Sequence, residues 1–396
     1  MRLNVIVTDG NYQNTNAIIR ALKSKGLKVG VILNSITDLN FYSVLPDKKF
    51  FFKTNLLKSS EQNDFEKYWQ ELEVILRNNP VEVFMPVGNI SCRFASLYKN
   101  KIEQYAKVPV VEIETMEIAQ NKQLTFNYAE KLGIPIPKTI ELNNKTEIND
   151  SFLNSIPYPC VIKKTNYNEG GVIYCNNRNE LKNHLLLYQE NKKNIKTFPV
   201  IQEYIKGTGA GYYGIYQNGA CKGYFMHERI HEFPITGGAS TLARSAYNEK
   251  LKYLGDKLLQ ELKWQGVAMV EFKKTSENEF VLMEVNPKFW GSLELSYAAG
   301  INFPYLNYLI ALGKDVPASD YKTDIYFRWV FPYDLLWLLY SDKKNRIEFR
   351  KIKKNHKIFS NLHFDDPFVL LHNFLHFFIK LLKIKKYPHG HIKQEN

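Results

Sequence analysis

An acid and an amide lie close together in the stretch 281-VLMEVNPKFWGSLELS-296, where Glu284 and Asn286 are two residues apart in an otherwise apolar run. Side chains at positions i and i+2 of a strand leave the same face, so both would point toward one site. The preceding run 266-GVAMVEFKK-274 predicts a second strand, which carries Glu271, and the polar residues between the runs predict a hairpin turn. Such oxygen ligands suit Mg²⁺. The alternative for one such strand is an edge strand whose acid faces water.

Three further stretches combine polar groups with glycine or a cation. Lys163 ends a predicted strand just before 166-NYNEGGV-172, whose glycines would let backbone N–H groups close on phosphate oxygens. The segment 202-QEYIKG-207 ends another strand and offers polar partners to a flat base in an apolar slot. A second glycine-rich loop, 236-TGGASTLARS-245, carries Arg244. Each signal is weak alone, and their order along the chain gives them weight.

The composition is that of a globular protein with an unusual charge distribution. At 396 residues, with 44% hydrophobic and 23% charged residues, the chain has room for roughly two to three domains. Its formal net charge is +13, and residues 343–396 hold 13 Lys or Arg against 4 Asp or Glu, which gives +9 there. Four cysteines without CxxC spacing argue against a zinc site or a disulfide scaffold and favour a reducing compartment.

The first part of the chain alternates apolar strands with amphipathic helices. Such alternation is typical of a parallel sheet covered on both faces, so residues 1–115 are predicted to form a Rossmann-like domain. The turn 8-TDGNYQNTN-16 lacks GxGxxG, so no dinucleotide is assigned to it. The apolar run at the N-terminus is too short for a signal peptide, and the expected compartment is the cytoplasm. The predicted strands are 3–8, 27–33, 81–89 and 108–113, and the predicted helices are 15–26 and 64–79.

The composition changes after a predicted helix at 119–133 and the proline-rich linker 134–138. From there the pattern becomes strand, glycine-rich turn, strand, helix and strand, followed by three strands around 211–230. This order predicts an α+β domain with antiparallel strands.

The motifs together resemble the ATP-grasp superfamily, and within it the carbamoyl-phosphate-synthase-like branch of carboxylate–amine ligases. The resemblance covers roughly residues 1–315 and is most specific over 228-ERIHEFPITGGASTLARS-245 and in GVAMVEF and MEVNPKFWGSLELS. It implies an α/β plus α+β chain with a Rossmann-like pre-ATP-grasp domain at 1–115 and a two-lobed ATP-grasp domain at 116–315. The lid would span about 135–205 and the core about 206–315, followed by a basic helical extension at 316–396.

The resemblance also implies roles for individual residues. Lys122 and Lys163 match the lysines that contact nucleotide phosphates, and Gly170 and Gly171 match the flap that closes over them. Lys288 stands where the family usually has arginine beside the transferred phosphate, and it lacks the bidentate fork of arginine. Thr208 stands where an acid often binds ribose. The segment that receives adenine matches Gln202, Glu203, Tyr204 and Ile205, the magnesium ligands match Glu271, Glu284 and Asn286, and further phosphate-clamping cations are Arg229 and Arg244.

The chemistry that the resemblance implies is activation of a carboxylate. ATP, with Mg²⁺ or alternatively Mn²⁺, would phosphorylate a small-molecule carboxylate to an acyl phosphate and release ADP, and an amine would then displace phosphate. One candidate product is an amino acid joined to an amino sugar of a surface-polysaccharide precursor. The alternative hypothesis is a non-catalytic ATP-binding or membrane-attached scaffold protein, which would not need all three metal ligands. A biotin-type carboxylase is disfavoured because the sequence shows no carrier domain.

His227 and His231 flank Arg229 in a predicted strand and allow two interpretations. Strand alternation would put all three side chains on one polar face that lines a substrate cleft. A zinc site is disfavoured because the expected set of Cys and His ligands is missing.

The C-terminal extension contains an apolar, basic helix. In residues 367–387 a narrow polar stripe, formed by His372, His376, Lys380 and Lys383, interrupts an apolar surface. This pattern suits a helix lying in the surface of an anionic membrane at the inner face. The alternative is a helix packed on the core or at a homo-oligomer interface. Nucleic acid is excluded as a partner because the basic run lacks aromatic stacking platforms in a groove. The segment 364-FDDPF-368 resembles a DDP element of the family branch.

Overall fold

The computed structural model describes residues 2–56, 62–143, 146–163, 172–190, 199–233, 239–317 and 320–385. The chain divides into two units, and neither is a continuous segment. The first unit consists of Met1–Ile113, Ala210–Met269 and Asn286–Asn396. The second unit consists of Glu114–Gly209 and Val270–Val285.

A parallel sheet of four strands opens the first unit, in the order β3-β2-β1-β4. Its central strands are apolar runs buried on both faces, which is the pattern of a sheet covered by helices. The Rossmann-like prediction is confirmed. The strands are β1 Leu3–Val7, β2 Val29–Leu33, β3 Lys48–Phe51 and β4 Val81–Met85. The helices are α1 Gln13–Lys23, α2 Leu39–Tyr42, α3 Gln62–Asn78, α4 Asn89–Leu97 and α5 Lys99–Ile102.

The strand predicted at 108–113 is wrong, because the structure shows extended chain there and a single bridge between Lys107 and Val83. Pro109 has no N–H to donate, so a ladder cannot continue through it. The helix predicted at 119–133 is instead two helices, α6 Ile113–Gln120 and α7 Lys122–Lys131. Asn121 separates them, and its side-chain oxygen accepts from the backbone N–H of Gln123.

The second unit holds a sheet of four antiparallel strands in the order β5-β8-β6-β7. Its core is a small cluster in which Leu153, Leu181 and Leu185 pack against β6. The antiparallel α+β prediction is confirmed. The elements are β5 Thr139–Glu141, α8 Asp150–Asn154, β6 Cys160–Lys163, β7 Val172–Cys175, α9 Arg178–Glu190 and β8 Val200–Glu203.

Seven strands form the third sheet, in the order β13-β12-β9-β10-β11-β14-β15. Strands β9 and β10 meet at Asn218 and Gly219, whose φ angles of 52° and 81° form the tight turn that asparagine and glycine favour. Residues 211–230 therefore lie in two long strands rather than the three predicted. The strands are β9 Thr208–Gln217, β10 Ala220–Phe233, β11 Ala239–Ser245, β12 Gly266–Lys274, β13 Phe280–Asn286, β14 Tyr326–Arg328 and β15 Ile358–Ser360.

Among the described residues after β11 there are six helices, together with a π-helical turn at Val330–Asp334. Their bounds are α10 Glu249–Glu261, α11 Leu293–Ala298, α12 Phe303–Ala311, α13 Leu335–Tyr340, α14 Lys343–Asn355 and α15 Pro367–Lys385. In the described part of the chain, every helix is too short or too polar to cross a membrane.

A buried carboxylate joins the C-terminal extension to helix α1 and to the segment that follows helix α2. Asp366, just before α15, is 1% exposed and accepts from the hydroxyl of Ser43 at 2.6 Å, the N–H of Val44 at 3.1 Å and the amide of Asn16 at 3.2 Å. Its neighbour Asp365 is mostly exposed and pairs with Arg20. The DDP element therefore anchors α15 through its second aspartate.

We expect Asp366→Ala to lower the free energy of unfolding by about 2–4 kcal/mol, because three buried donors lose their acceptor. Asp365→Ala is the matched control and should cost at most about 1 kcal/mol, since its ion pair is exposed to solvent. Urea unfolding of both variants measures the difference. Equal losses would show that burial at Asp366 does not anchor the helix.

Candidate active site

A cavity of about 320 Å³ lies within the second unit. This volume is in the range of small-molecule sites. Eight of the residues predicted from the sequence line it: Lys122, Lys163, Gln202, Glu203, Tyr204, Ile205, Glu271 and Glu284. The cavity therefore brings together the predicted phosphate, base and metal groups of this unit.

The charged side chains reach the cavity from the ends and middles of four elements. Lys122 is the first residue of α7, where the cap at Asn121 begins the helix. Lys163 is the last residue of β6, Glu271 lies on β12 and Glu284 on β13. The predicted hairpin of β12 and β13 is thus present, and each of its strands contributes one carboxylate to the lining.

The cavity carries equal numbers of basic and acidic side chains. Lys122 Nζ lies 3.0 Å from Glu284 Oε2. Burial and the nearby ammonium of Lys122 lower the pKa of Lys163 to about 8, with Glu284 opposing the shift. Lys273 also lines the cavity, so three lysines and three glutamates surround one space. A bound anion near Lys163 would stabilise the protonated form of its amine.

Hydrogen bonds to β5 and to the residue just before it hold the predicted adenine segment in place. Glu203 donates its backbone N–H to Lys138 O at 3.0 Å, and its side chain accepts from Lys138 N at 2.8 Å. The amide of Gln202 donates to Thr139 Oγ1 at 2.8 Å. These hydrogen bonds therefore fix the position of the segment along one side of the cavity.

Lys273 lines the cavity, and it was not predicted as a site residue from the sequence. Its ammonium donates to Ile205 O at 2.9 Å and lies 4.9 Å from the ring centroid of Tyr204. The signal was present, because Lys273 stands two residues after Glu271 on β12 and so shares its face. The remaining lining residues also went unpredicted, and most are apolar: Pro137, Val161, Val172, Tyr174 and Met283.

Glu271 and Glu284 fit a magnesium ion by their chemistry. Mg²⁺ binds through one or two carboxylates, substrate phosphates and waters rather than through an all-protein cage. Consistent with this, the described residues contain no cluster of three or more His, Cys, Asp or Glu able to hold a metal. Asn286 ends β13 two residues after Glu284 and belongs to the first unit. Its role as a third ligand stays a prediction.

The other predicted cations lie in the first unit. Cross-strand partners share a face, and Glu228 opposite Arg244 neighbours Arg229 opposite Ala243, so the two arginines leave opposite faces. Arg244 is held by Glu228 at 2.6 Å and Asp324 at 3.3 Å. From these positions, at most one of the two arginines can point at a given phosphate.

Lys288 follows β13 and is partly buried. Burial raises the pKa of the Cys92 thiol, and the nearby ammonium of Lys288 opposes that shift. Lys288 therefore lies close to α4 of the N-terminal sheet. The flap glycines Gly170 and Gly171 lie outside the described residues, as do residues 236–238 of the second glycine-rich loop.

The predicted polar face shared by His227, Arg229 and His231 is wrong. The register between β10 and β11 shifts between Arg229 and His231, and this irregularity turns His231 to the other face. His227 is buried, within 2.5 Å of the Tyr213 hydroxyl and 2.7 Å of Ser292 Oγ. His231 is buried on Trp337, with ring centroids 3.5 Å apart. Burial lowers the pKa values to about 3 for His227 and about 4 for His231, so both are neutral core residues.

We expect the Lys163 amine to titrate near pH 8, well below the usual lysine value of about 10.4. Competitive acetylation followed by mass spectrometry measures this, because only the neutral amine reacts. Glu284→Gln should move the midpoint lower, since it removes a carboxylate that favours the ammonium form. Lys138, an exposed lysine just before β5, is the internal control. A midpoint near 10 for Lys163 would contradict the desolvated cluster.

Comparison with known proteins agrees with this architecture. A family model described as ATP-grasp in the biosynthetic pathway with Ter operon matches residues 236–330. The mitochondrial arginine-specific large chain of carbamoyl phosphate synthase from Neurospora crassa is 23% identical over 326 residues, which cover 78% of this chain and 26% of that protein. The chain thus spans about a quarter of the length of this relative.

Solved structures share the fold at low sequence identity. The biotin carboxylase domain of 2-oxoglutarate carboxylase from Hydrogenobacter thermophilus, solved with MgADP, has a TM-score of 0.65 and 15% identity over 82% of this chain and 74% of that one. N5-carboxyaminoimidazole synthetase from Staphylococcus aureus has 0.60 and 18% over 81% of each chain. L-amino acid ligase from Bacillus licheniformis has 0.59 and 17% over 78% and 75%. The resemblance seen in the motifs is therefore confirmed, and the chain has the ATP-grasp fold.

Proposed function

We propose that this protein is an ATP-dependent carboxylate–amine ligase that works through an acyl phosphate. The observation that carries the proposal is the cavity of the second unit, where Glu271 and Glu284 face three lysines in an ATP-grasp fold. Lysines and carboxylates around one space suit a nucleotide phosphate chain and its divalent cation.

The adenine of the nucleotide would bind to the segment Gln202, Glu203, Tyr204 and Ile205, against the apolar side chains of the cavity. Lys122 and Lys163 would contact phosphate oxygens, under a flap that includes Gly170 and Gly171. When bound by Glu271, Glu284 and Asn286, Mg²⁺ or Mn²⁺ would neutralise charge on the phosphates.

The reaction would proceed in two displacements. A substrate carboxylate oxygen attacks the γ-phosphorus of ATP, the bond to the bridging oxygen breaks, and ADP leaves. The amine then attacks the acyl carbon, and phosphate leaves with the former carboxylate oxygen. Lys163 and Lys288 would stabilise charge on the transferred group, joined by Arg229 or Arg244 but not by both together.

The ion pair between Lys122 and Glu284 gives nucleotide binding a specific requirement. Lys122 Nζ and Glu284 Oε2 are 3.0 Å apart, so the two side chains form an ion pair with each other. A phosphate chain would take Lys122 as a partner, and the cation that accompanies ATP would take Glu284. Nucleotide and cation are thus expected to bind together, because the two ligands jointly replace the contact between Lys122 and Glu284.

The substrates are proposed to be a small-molecule carboxylate and an amine. An amino acid joined to an amino sugar of a surface-polysaccharide precursor is the candidate pair, with the enzyme in the cytoplasm at the inner membrane face. An L-amino acid ligase among the structures that share the fold supports an amino-acid substrate. Residues 367–387 would make the peripheral contact with an anionic membrane, and a homo-oligomer is compatible with the proposal.

We expect Glu284→Gln to abolish ADP formation in the presence of magnesium and pools of amino acids, small carboxylates and amino sugars, because it removes a cation ligand. The matched control is Glu277→Gln, the same change at an exposed position of the turn between β12 and β13. Separation of ADP from AMP on an anion-exchange column measures the outcome.

Release of ADP that requires one pool, persists in Glu277→Gln and vanishes in Glu284→Gln would establish the ligase. AMP and pyrophosphate as products would overturn the acyl-phosphate route. Nucleotide binding without turnover in any pool would favour the alternative function, an ATP-binding or scaffold protein.

Lys273→Met should weaken ADP binding about tenfold, because the hydrogen bond of a charged group to Ile205 O is lost and the adenine wall loosens. Lys274→Met is the matched control, since residue 274 points to the opposite face of β12. Fluorescence titration with a labelled ADP measures both. Equal affinities for the two variants would show that Lys273 does not position the segment.

A further inference from the structure

Helix α15 presents an apolar face to solvent. Seven of its large apolar side chains are exposed, from 43% for Phe374 to 65% for Leu382. At 100° per residue they fall on one side of the helix, since they recur at intervals of three and four positions. They are Phe368, Leu371, Phe374, Leu375, Phe378, Ile379 and Leu382. Monomeric proteins rarely expose so large a continuous apolar patch.

The opposite side of α15 holds the helix on the first unit. Val369, Asn373 and Phe377 are buried, and Phe377 packs 6.2 Å from the ring of Phe331. Asn373 accepts from the amide of Gln13 at 3.3 Å. Because these contacts and the anchor at Asp366 fix the helix, the exposed face is not needed to hold it in place.

Helix α14 carries an exposed basic surface. Its Phe349 belongs to the same buried cluster as Phe377, so both helices pack on one apolar cluster. Its basic side chains are all exposed, and within the described part of the chain none forms an ion pair with a carboxylate. They are Lys343, Lys344, Arg346, Arg350, Lys351, Lys353 and Lys354, and Glu348 is the acid among them.

Charge decides between two occupants of this surface. A second copy of the chain would bring two basic helices together, each within a segment of net charge +9 from 13 basic and 4 acidic residues at 343–396. The like charges of the two helices would repel each other. An anionic bilayer instead offers negative headgroups for α14 and an apolar interior for the exposed face of α15.

We propose that α14 and α15 together form a docking surface for an anionic lipid bilayer. Helix α15 inserts its exposed apolar face at the boundary between headgroups and acyl chains, and α14 binds headgroups by charge. This extends the contact suggested for residues 367–387 to a second helix, and it does not depend on the ligase chemistry. A single weak signal gives reversible binding, so both helices are required for stable attachment.

The test is co-sedimentation of the full chain with vesicles of phosphatidylcholine alone or with about 30% phosphatidylserine, at low and high salt. Leu375→Glu with Leu382→Glu charges the exposed face of α15, and Lys351→Gln, Lys353→Gln and Lys354→Gln together neutralise α14. The control is Val74→Glu with Tyr253→Glu, which changes exposed apolar residues on α3 and α10. Circular dichroism and urea unfolding establish that each variant is folded.

We expect wild type and control to bind the anionic vesicles and to bind neutral vesicles at least about tenfold more weakly. Each helix variant should lose about tenfold or more in affinity, and high salt should release the wild type. ADP formation by the helix variants in solution should equal that of wild type, which separates this proposal from the ligase hypothesis.

Equal binding to neutral and anionic vesicles, or full binding by the α14 variant, would overturn the role of α14. If the wild-type protein binds neither kind of vesicle, the proposal of a docking surface is wrong. A dimer in sedimentation velocity that Leu375→Glu with Leu382→Glu dissociates, without any vesicle binding, would assign the surface to a second copy.

Discussion

The ion pair between Lys122 and Glu284 is the interaction on which the electrostatics of the candidate site depend. Lys163 is partly buried next to Lys122, and two ammonium groups in a partly desolvated cavity would repel each other without the nearby carboxylates. Glu271 and Glu284 keep that cluster close to balance in the absence of a ligand. A phosphate chain with its cation supplies both kinds of charge at once, so it can replace the pairing between Lys122 and Glu284.

The chemistry of this cavity was largely predictable because it rests on strand alternation and on order along the chain. Glu271 and Glu284 were found by their positions in two apolar runs, and both line the cavity. Lys273 follows the same period of two, so strand alternation also predicts that it shares the face of Glu271. His231 could not be placed, because the shift in register after Arg229 depends on pairing with β11 and leaves no mark in the sequence of β10 alone.

The fold shows the same division between local and non-local information. The βαβ pattern predicted the parallel sheet, since apolar runs buried on both faces are distinctive. The run 108–113 is equally apolar, yet Pro109 prevents a ladder there. The sequence of α15 indicates apolar character almost all round, and it cannot say which side meets the protein. Tertiary contacts decide that, and they bury one side and leave the other exposed.

Asp366 explains how α15 can keep an apolar face in water. A helix with an unsupported apolar surface would normally turn that surface inward, at the expense of its other side. Three hydrogen bonds to a buried carboxylate and the packing of Val369 and Phe377 make such a rotation costly, because it would expose one apolar side to bury another and would leave Asp366 unpaired. The orientation of the helix is therefore set at its first turn, and the outward face stays available for a partner.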